Sequence, residues 1–349
     1  MKMAEILKGR WVLSDTPVLC PGSGKAWDGL SVITPGIFSN DAGKVYGMFY
    51  VGLSNSSDTW GIGYAESDDL SIWEKHGLNP LIWREDESNS FSYDSPCLIR
   101  KNATFHLFLE EKKFRKDMRK KIKYALPAAF RLWLARIRRF VKGGGGKALS
   151  VQHADGRRFV SFSSDKLLNW EMDSRRLVLE KGGPAGFDGS GLFSPQVHEF
   201  DGRYYMFYGG SDGDVTSTGF AVSDDLLEWK RDALSPVLRP GAKGQWDENN
   251  ALIVSILKTE DGYCGFYEGE DVENTYRIGV AYSYDLKRWE KFEGNPIIET
   301  GGRGTFNEKM VCSPHIFSDK ERVFLFYTGH DRSMRGCCGA AELKAGFNG

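Results

Sequence analysis

Carboxylates set at matching places in a repeated unit are the residues here whose type and spacing could do chemistry. Asp94 stands two residues before Pro96, where the equivalent positions before Pro35, Pro195, Val254 and Pro314 hold Ile33, Phe193, Leu252 and Cys312. An acid in place of an apolar group is the sharpest site signal in the chain, against the plainer alternative that Asp94 caps local backbone amides. Glu110 and Glu268 occupy another matching position, two residues after the Phe of a recurring apolar run. Asp28, Asp188 and Asp247 lie seven residues before Pro35, Pro195 and Val254, a series completed by Asn89 and Asn307. Glu248 and Glu308 lie six residues before Val254 and Pro314. Carboxylates gathered on one face raise one another's pKa, so that one keeps a proton while another ionises, as paired general acid and base require. A feature present in nearly every unit is as readily structural, so Asp28, Asp188 and Asp247 are read both as turn acceptors and as substrate contacts.

The elements that must position these groups follow from internal repetition. A phrase of Ser, any residue, Asp or Lys, Leu, two residues and Trp ends at Trp73, Trp170, Trp229 and Trp289, spacings of 97, 59 and 60. Apolar runs carry a Phe at Phe49, Phe108, Phe207, Phe266 and Phe326, spacings of 59, 99, 59 and 60. Both series give a period near 60 and place one insertion of about 40 residues between Phe108 and Trp170. Within each unit, short apolar runs alternate with turn residues such as Asp201-Gly202, the pattern of a four-stranded antiparallel meander. Units of this size cannot bury a core alone and must stack, which predicts an all-β, five-bladed β-propeller spanning residues 1–349 as a single domain. Residues Trp11 to Leu19 are expected to supply the outer strand of the last unit. The repeated Trp and Phe residues are read as packing between units.

Composition excludes several classes. With 46 Lys plus Arg against 47 Asp plus Glu and 41% hydrophobic residues, the chain is globular. The opening Met1 to Arg10 carries four charged side chains and reads as no signal peptide, and no stretch of 18 uncharged apolar residues occurs. The expectation is a cytoplasmic protein whose six cysteines are reduced. Phosphate-loop, dinucleotide and zinc-site motifs are missing.

Phrases such as Tyr205-Met206-Phe207-Tyr208-Gly209-Gly210, Ile278-Gly279-Val280-Ala281-Tyr282-Ser283 and Asn295-Pro296-Ile297-Ile298 resemble the five-bladed glycoside hydrolases of families 43, 32 and 68, with mannoside phosphorylases as relatives. The resemblance implies cleavage of a glycosidic bond by two carboxylates. Asp94-Ser95-Pro96 is similar to the family 43 pattern Glu-Gly-Pro that supplies the general acid. The base Asp that such hydrolases hold before the first proline is replaced by Thr34. The expected catalytic set is therefore Asp94 with Asp188 or Glu268, and the expected substrate contacts are Asp28, Trp27, Trp60, Glu110, Glu248, Glu308 and His315. His315, beside Pro314, is read either as a channel-facing group or as a hydrogen-bonded core histidine. No organic cofactor is implied, and a channel metal ion such as calcium is compatible with the resemblance. Phosphorolysis or transglycosylation, and a non-catalytic propeller that binds glycan or protein, are the alternatives.

The insertion has its own character. Lys112 to Lys147 holds eight Lys and six Arg against Asp117 alone, net +13, leaving −14 for the rest. Within the segment 112–150, Pro127 and Gly143 frame an amphipathic helix with Phe130, Trp133, Leu134 and Ile137 on its apolar stripe and Arg138 and Arg139 away from it. Such a helix suits an anionic membrane surface and hence a membrane-proximal or lipid-linked glycan, peripheral on the inner membrane face. A lid or dimer contact is the competing reading. Nucleic acid is not an expected partner, because no reading module accompanies the charge.

Overall fold

The computed structural model describes residues 1–39, 46–54, 60–85, 89–115, 156–319 and 322–344. They are nearly all β, arranged as successive antiparallel meanders. The first comprises β2 (Ser31–Ser39), β3 (Tyr46–Leu53), β4 (Trp60–Ser67) and β5 (Glu74–Lys75), following β1 (Arg10–Leu13) in the chain. The second runs through β7 (Asn89–Lys101), β8 (Thr104–Arg115), β9 (Arg157–Ser164) and β10 (Arg176–Leu179), with β6 (Arg84–Glu85) paired to β7. The third comprises β11 (Gly191–Phe200), β12 (Arg203–Ser211), β13 (Thr216–Ser223) and β14 (Lys230–Arg231). The fourth comprises β15 (Asn250–Lys258), β16 (Tyr263–Glu270), β17 (Tyr276–Ser283) and β18 (Glu290–Lys291). The last, β19 (Met310–Asp319), β20 (Arg322–His330) and β21 (Gly336–Lys344), takes its fourth strand from the other end of the chain, because β1 pairs antiparallel with β21 from Arg10↔Lys344 to Leu13↔Ala341.

The first strands of the meanders touch in order, β2 to β7, β7 to β11, β11 to β15, β15 to β19, and β19 back to β2. The repeated aromatics explain how neighbours are held. Trp170 packs edge-on against Phe49 of the preceding meander at 6.1 Å, Trp229 against Phe108 at 5.6 Å, and Trp289 against Phe207 at 5.9 Å. Trp11 meets Phe266 at 5.8 Å and Trp73 meets Phe326 at 6.0 Å, so the series runs in one direction and returns to its start. Each contact contributes about 0.5–1.5 kcal/mol beyond the area it buries.

The Ser-Asp-Leu part of the same phrase places the Trp. Ser67 Oγ accepts the Leu70 N–H, Asp69 accepts the Ser71 and Ile72 N–H groups, and Trp73 Nε1–H donates to the Leu70 carbonyl. The Ser223 and Ser283 turns repeat much of this arrangement, with Trp229 and Trp289 donating to Leu226 and Leu286.

A second regularity aims the site. Each first strand breaks register once, at Ile33/Gly36, Asp94/Cys97, Phe193/Gln196, Ile253/Ser255 and Cys312/His315. At four of these bulges the residue before proline is left-handed: Thr34 (φ 54°), Ser95 (54°), Ser194 (49°) and Ser313 (51°). A non-glycine residue there is strained, and a bulge kinks its strand and re-aims adjacent side chains.

The connection from β8 to β9 leaves the sheet beyond Glu110, at the end where Asp94 pairs with Glu110. Its first residues, through Arg115, continue β8. Residues 116–155, with Phe130, Trp133, Leu134, Ile137, Arg138 and Arg139, lie outside the described residues. Among the described residues no helix is long and apolar enough to cross a membrane.

Candidate active site

At the bulged ends of the first strands the structure brings together Asp94, Glu110 and Glu268. Asp94 accepts the Ser95 N–H at 2.7 Å and the Thr34 hydroxyl at 3.1 Å, so the residue in the place of the missing base steadies the acid. Asp94 is enclosed but still reached by solvent. Burial, then repulsion from Glu110, pushes its carboxyl up to about 7, against the opposing pull of Arg157.

Glu268 resembles Asp94 in chemistry while sitting two meanders away. It accepts the Ser313 N–H at 2.9 Å and an N–H of the Asn250 amide at 3.3 Å, and burial pushes it up to about 7 despite both donors. Cys312, on β19, lies within electrostatic reach of both Glu268 and Asp94. Glu110 is treated differently: only 3% exposed, it forms an ion pair with Arg157 and accepts the Ser194 N–H at 3.1 Å. The Arg157 guanidinium lies over the Phe193 ring, 4.8 Å from its centroid.

The remaining expected site residues occupy other positions. Asp28 and Asp188, 2% and 3% exposed, are clamps between strands and do not join this cluster. Asp28 takes the Tyr50 hydroxyl and the Lys75 ammonium, Asp188 the Tyr208 hydroxyl and Arg231, and Asp247 the Tyr267 hydroxyl and Lys291. The preceding aromatic completes each clamp. Trp27 stacks on Tyr50 and covers Gly52 and Gly63, where a Cβ would collide with its ring, and Phe187, Trp246 and Phe306 cover the matching glycines of their own meanders. Trp27 is thus structural, and Trp60 packs against the buried cluster around Phe91 and Tyr93. Glu248 and Glu308 accept the N–H groups of Gly244 and Gly304, both at φ 89°, and so staple the turns that lead into β15 and β19.

His315 bonds the Ile37 carbonyl of the neighbouring first strand at 2.9 Å, and burial pushes its imidazole down to about 4. His198 lies close enough to feel it and is pushed down to about 3. Both are neutral at physiological pH. Among the described residues no group of three His, Cys, Asp or Glu side chains is placed to hold a metal ion.

Arg157, Asn250 and the bulge N–H groups of Ser194 and Ser313 were not anticipated from sequence. Arg157 and Glu110 are 47 residues apart with the insertion between them, and only the β8–β9 register joins them.

Residues 195–339 match the glycosyl hydrolases family 32 N-terminal domain. Over 127 residues the chain is 29% identical to levanase of Bacillus subtilis, a match covering 32% of this chain and 18% of levanase. A glycosyl hydrolase from Bacteroides ovatus superposes with a TM-score of 0.64 at 15% identity, covering 96% of this chain and 93% of that one. The β-1,2-mannobiose phosphorylase of Listeria innocua superposes at 0.63 with 13% identity, covering 96% and 97%. The resemblance carried by the repeated phrases is thereby shown, and the fold is that of the propeller-like glycoside hydrolases.

Proposed function

We propose that this protein is a five-bladed β-propeller enzyme that cleaves a glycosidic bond between Asp94 and Glu268. The observation that carries this reading is that two carboxyls on separate meanders are both raised to about 7 and both open to solvent, while the third, Glu110, is neutralised by Arg157. Near neutral pH each of the two is partly protonated, so the site offers a proton donor and an anion together. In this reading Asp94, raised chiefly by burial, keeps the proton and delivers it to the leaving glycosidic oxygen. Glu268, held by the Ser313 N–H and the Asn250 amide, acts as the anion on the opposite side of the sugar. The match to levanase favours a fructan substrate, and the likeness to a mannobiose phosphorylase makes β-1,2-mannosides the next class to offer. The basic segment 112–150 leaves the sheet on the Asp94 side, which supports a glycan presented near an anionic membrane surface, with the protein cytoplasmic and peripheral on the inner face.

Reducing-sugar release from levan, β-1,2-mannobiose and related oligosaccharides, with and without inorganic phosphate, tests this. Turnover without phosphate is expected. Strict dependence on phosphate assigns phosphorolysis, and silence across the panel overturns the enzymatic reading in favour of a glycan-binding propeller.

A further inference from the structure

Away from these carboxylates, Cys20 and Cys337 lie on facing chain segments where the amino-terminal segment closes the last meander. Leu19 and Cys338 exchange both backbone bonds, Cys338 N–H to the Leu19 carbonyl at 2.9 Å and Leu19 N–H to the Cys338 carbonyl at 3.3 Å. They form a hydrogen-bonded antiparallel pair, so the next pair, Cys20 and Cys337, falls at a non-hydrogen-bonded site. Cα atoms at such sites are about 4.5 Å apart, within the span of roughly 4.4–6.8 Å that a disulfide bridges. Each thiol is the largest influence on the other's titration.

Access and reactivity differ within the pair. Cys20 is exposed and Cys337 buried. A cavity of about 530 Å³ opens beside them, lined by both thiols, Phe306, Asp331, Arg332 and Arg335. The Cys337 thiol, with Arg335 and Lys75 nearby, holds the Cys20 thiol down to about 6. Burial instead pushes Cys97 up to about 11 and Cys264 up to about 12, and raises Cys312 and Cys338 as well. One thiol of the six thus combines exposure with a lowered pKa, and a second lies beside it to resolve a mixed disulfide.

We propose that Cys20 and Cys337 form a redox-active dithiol that closes to a disulfide on reaction with a small-molecule disulfide. The Cys20 thiolate attacks one sulfur of RS–SR, forming a mixed disulfide and releasing RS⁻, which takes a proton from solvent. Cys337 gives its proton to solvent and its sulfur displaces the second RS⁻ from Cys20. Two protein thiols are oxidised and one RS–SR is reduced to two RSH. The bond ties the segment that carries β1 to β21, locking the junction of the two chain ends.

The test treats the reduced full chain with oxidised glutathione at pH 7.5, alkylates the remaining thiols and maps the peptides. The expected result is loss of two thiols of the six, a linked peptide joining Cys20 to Cys337, and a higher melting temperature than the reduced protein. Cys20→Ser should leave the other thiols unreacted, and Cys337→Ala should trap a glutathione adduct on Cys20. Because Cys337 is buried, wild-type mapping and the exposed Cys20→Ser variant decide the question if Cys337→Ala fails to fold. An unreactive Cys20, a lasting adduct on it in the wild type, or its linkage to another cysteine would overturn the proposal.

Discussion

Glu268 accepts the backbone N–H of Ser313, the strained residue before the proline of the next meander's first strand. Glu110 does the same for Ser194, and Thr328, at the matching place on β20, takes the N–H of Thr34. In these three meanders the position two residues after the repeated Phe is thus a clasp that holds the neighbouring bulge, whereas the equivalent Val51 and Gly209 offer no side-chain acceptor. At Thr328 the clasp is neutral. At Glu110 it is a charge cancelled by Arg157, and at Glu268 it is an acid with no ion pair among the described residues, free to titrate.

Such acids lower stability at neutral pH. Their folded pKa values, about 7, exceed the ordinary 3.8 of an aspartate and 4.5 of a glutamate, so the native state binds more protons than the unfolded chain between those limits. The stability they contribute is complete below about pH 4 and is lost as pH rises through 7. Asp94→Asn and Glu268→Gln should each stabilise the protein by about 1–2 kcal/mol at pH 8, with little gain at pH 4.5. Thermal melts at the two pH values check this, and equal shifts at both would contradict it.

Arg157 should set the pH range of activity. Its charge opposes the rise of the Asp94 carboxyl, so Arg157→Met drives that carboxyl further up and moves the alkaline limb of the rate profile to higher pH. The same change leaves Glu110 buried without its partner, at a cost of about 3 kcal/mol. An unmoved alkaline limb in the folded variant would show that Asp94 does not control it.

The Asp188 clamp should matter for folding alone. Asp188→Ala strands the buried Tyr208 hydroxyl and the part-exposed Arg231, and a loss of about 2 kcal/mol is expected. The kcat of the folded variant should match wild type, measured below its melting transition. A large fall in kcat would return Asp188 to the catalytic set.

The sequence carried the meanders because they share one physical solution: a Trp on a neighbour's Phe throughout, a Ser-to-Trp turn in all but the last, and a proline at every bulge but that of β15. Asp94 was legible as the single polar residue in an apolar series, and the pairing of Glu110 with Glu268 as a repeat. The clamps were harder to read because an Asp preceded by an aromatic looks like a sugar contact until Tyr50, Tyr208 and Tyr267 are seen beneath it. Their recurrence, together with the glycines under Trp27, was the available signal. Arg157 left none, since its tie to Glu110 exists only across a strand pair interrupted by the insertion.

The central claim is that Asp94 and Glu268 act as one catalytic pair, and turnover by Asp94→Asn, Glu268→Gln and the double variant tests it most directly. Each single change should lower kcat by about 10²–10⁴-fold with the fold intact, and the double variant should fall little further, since the two act as a unit. Wild-type turnover in either folded single variant would contradict the account.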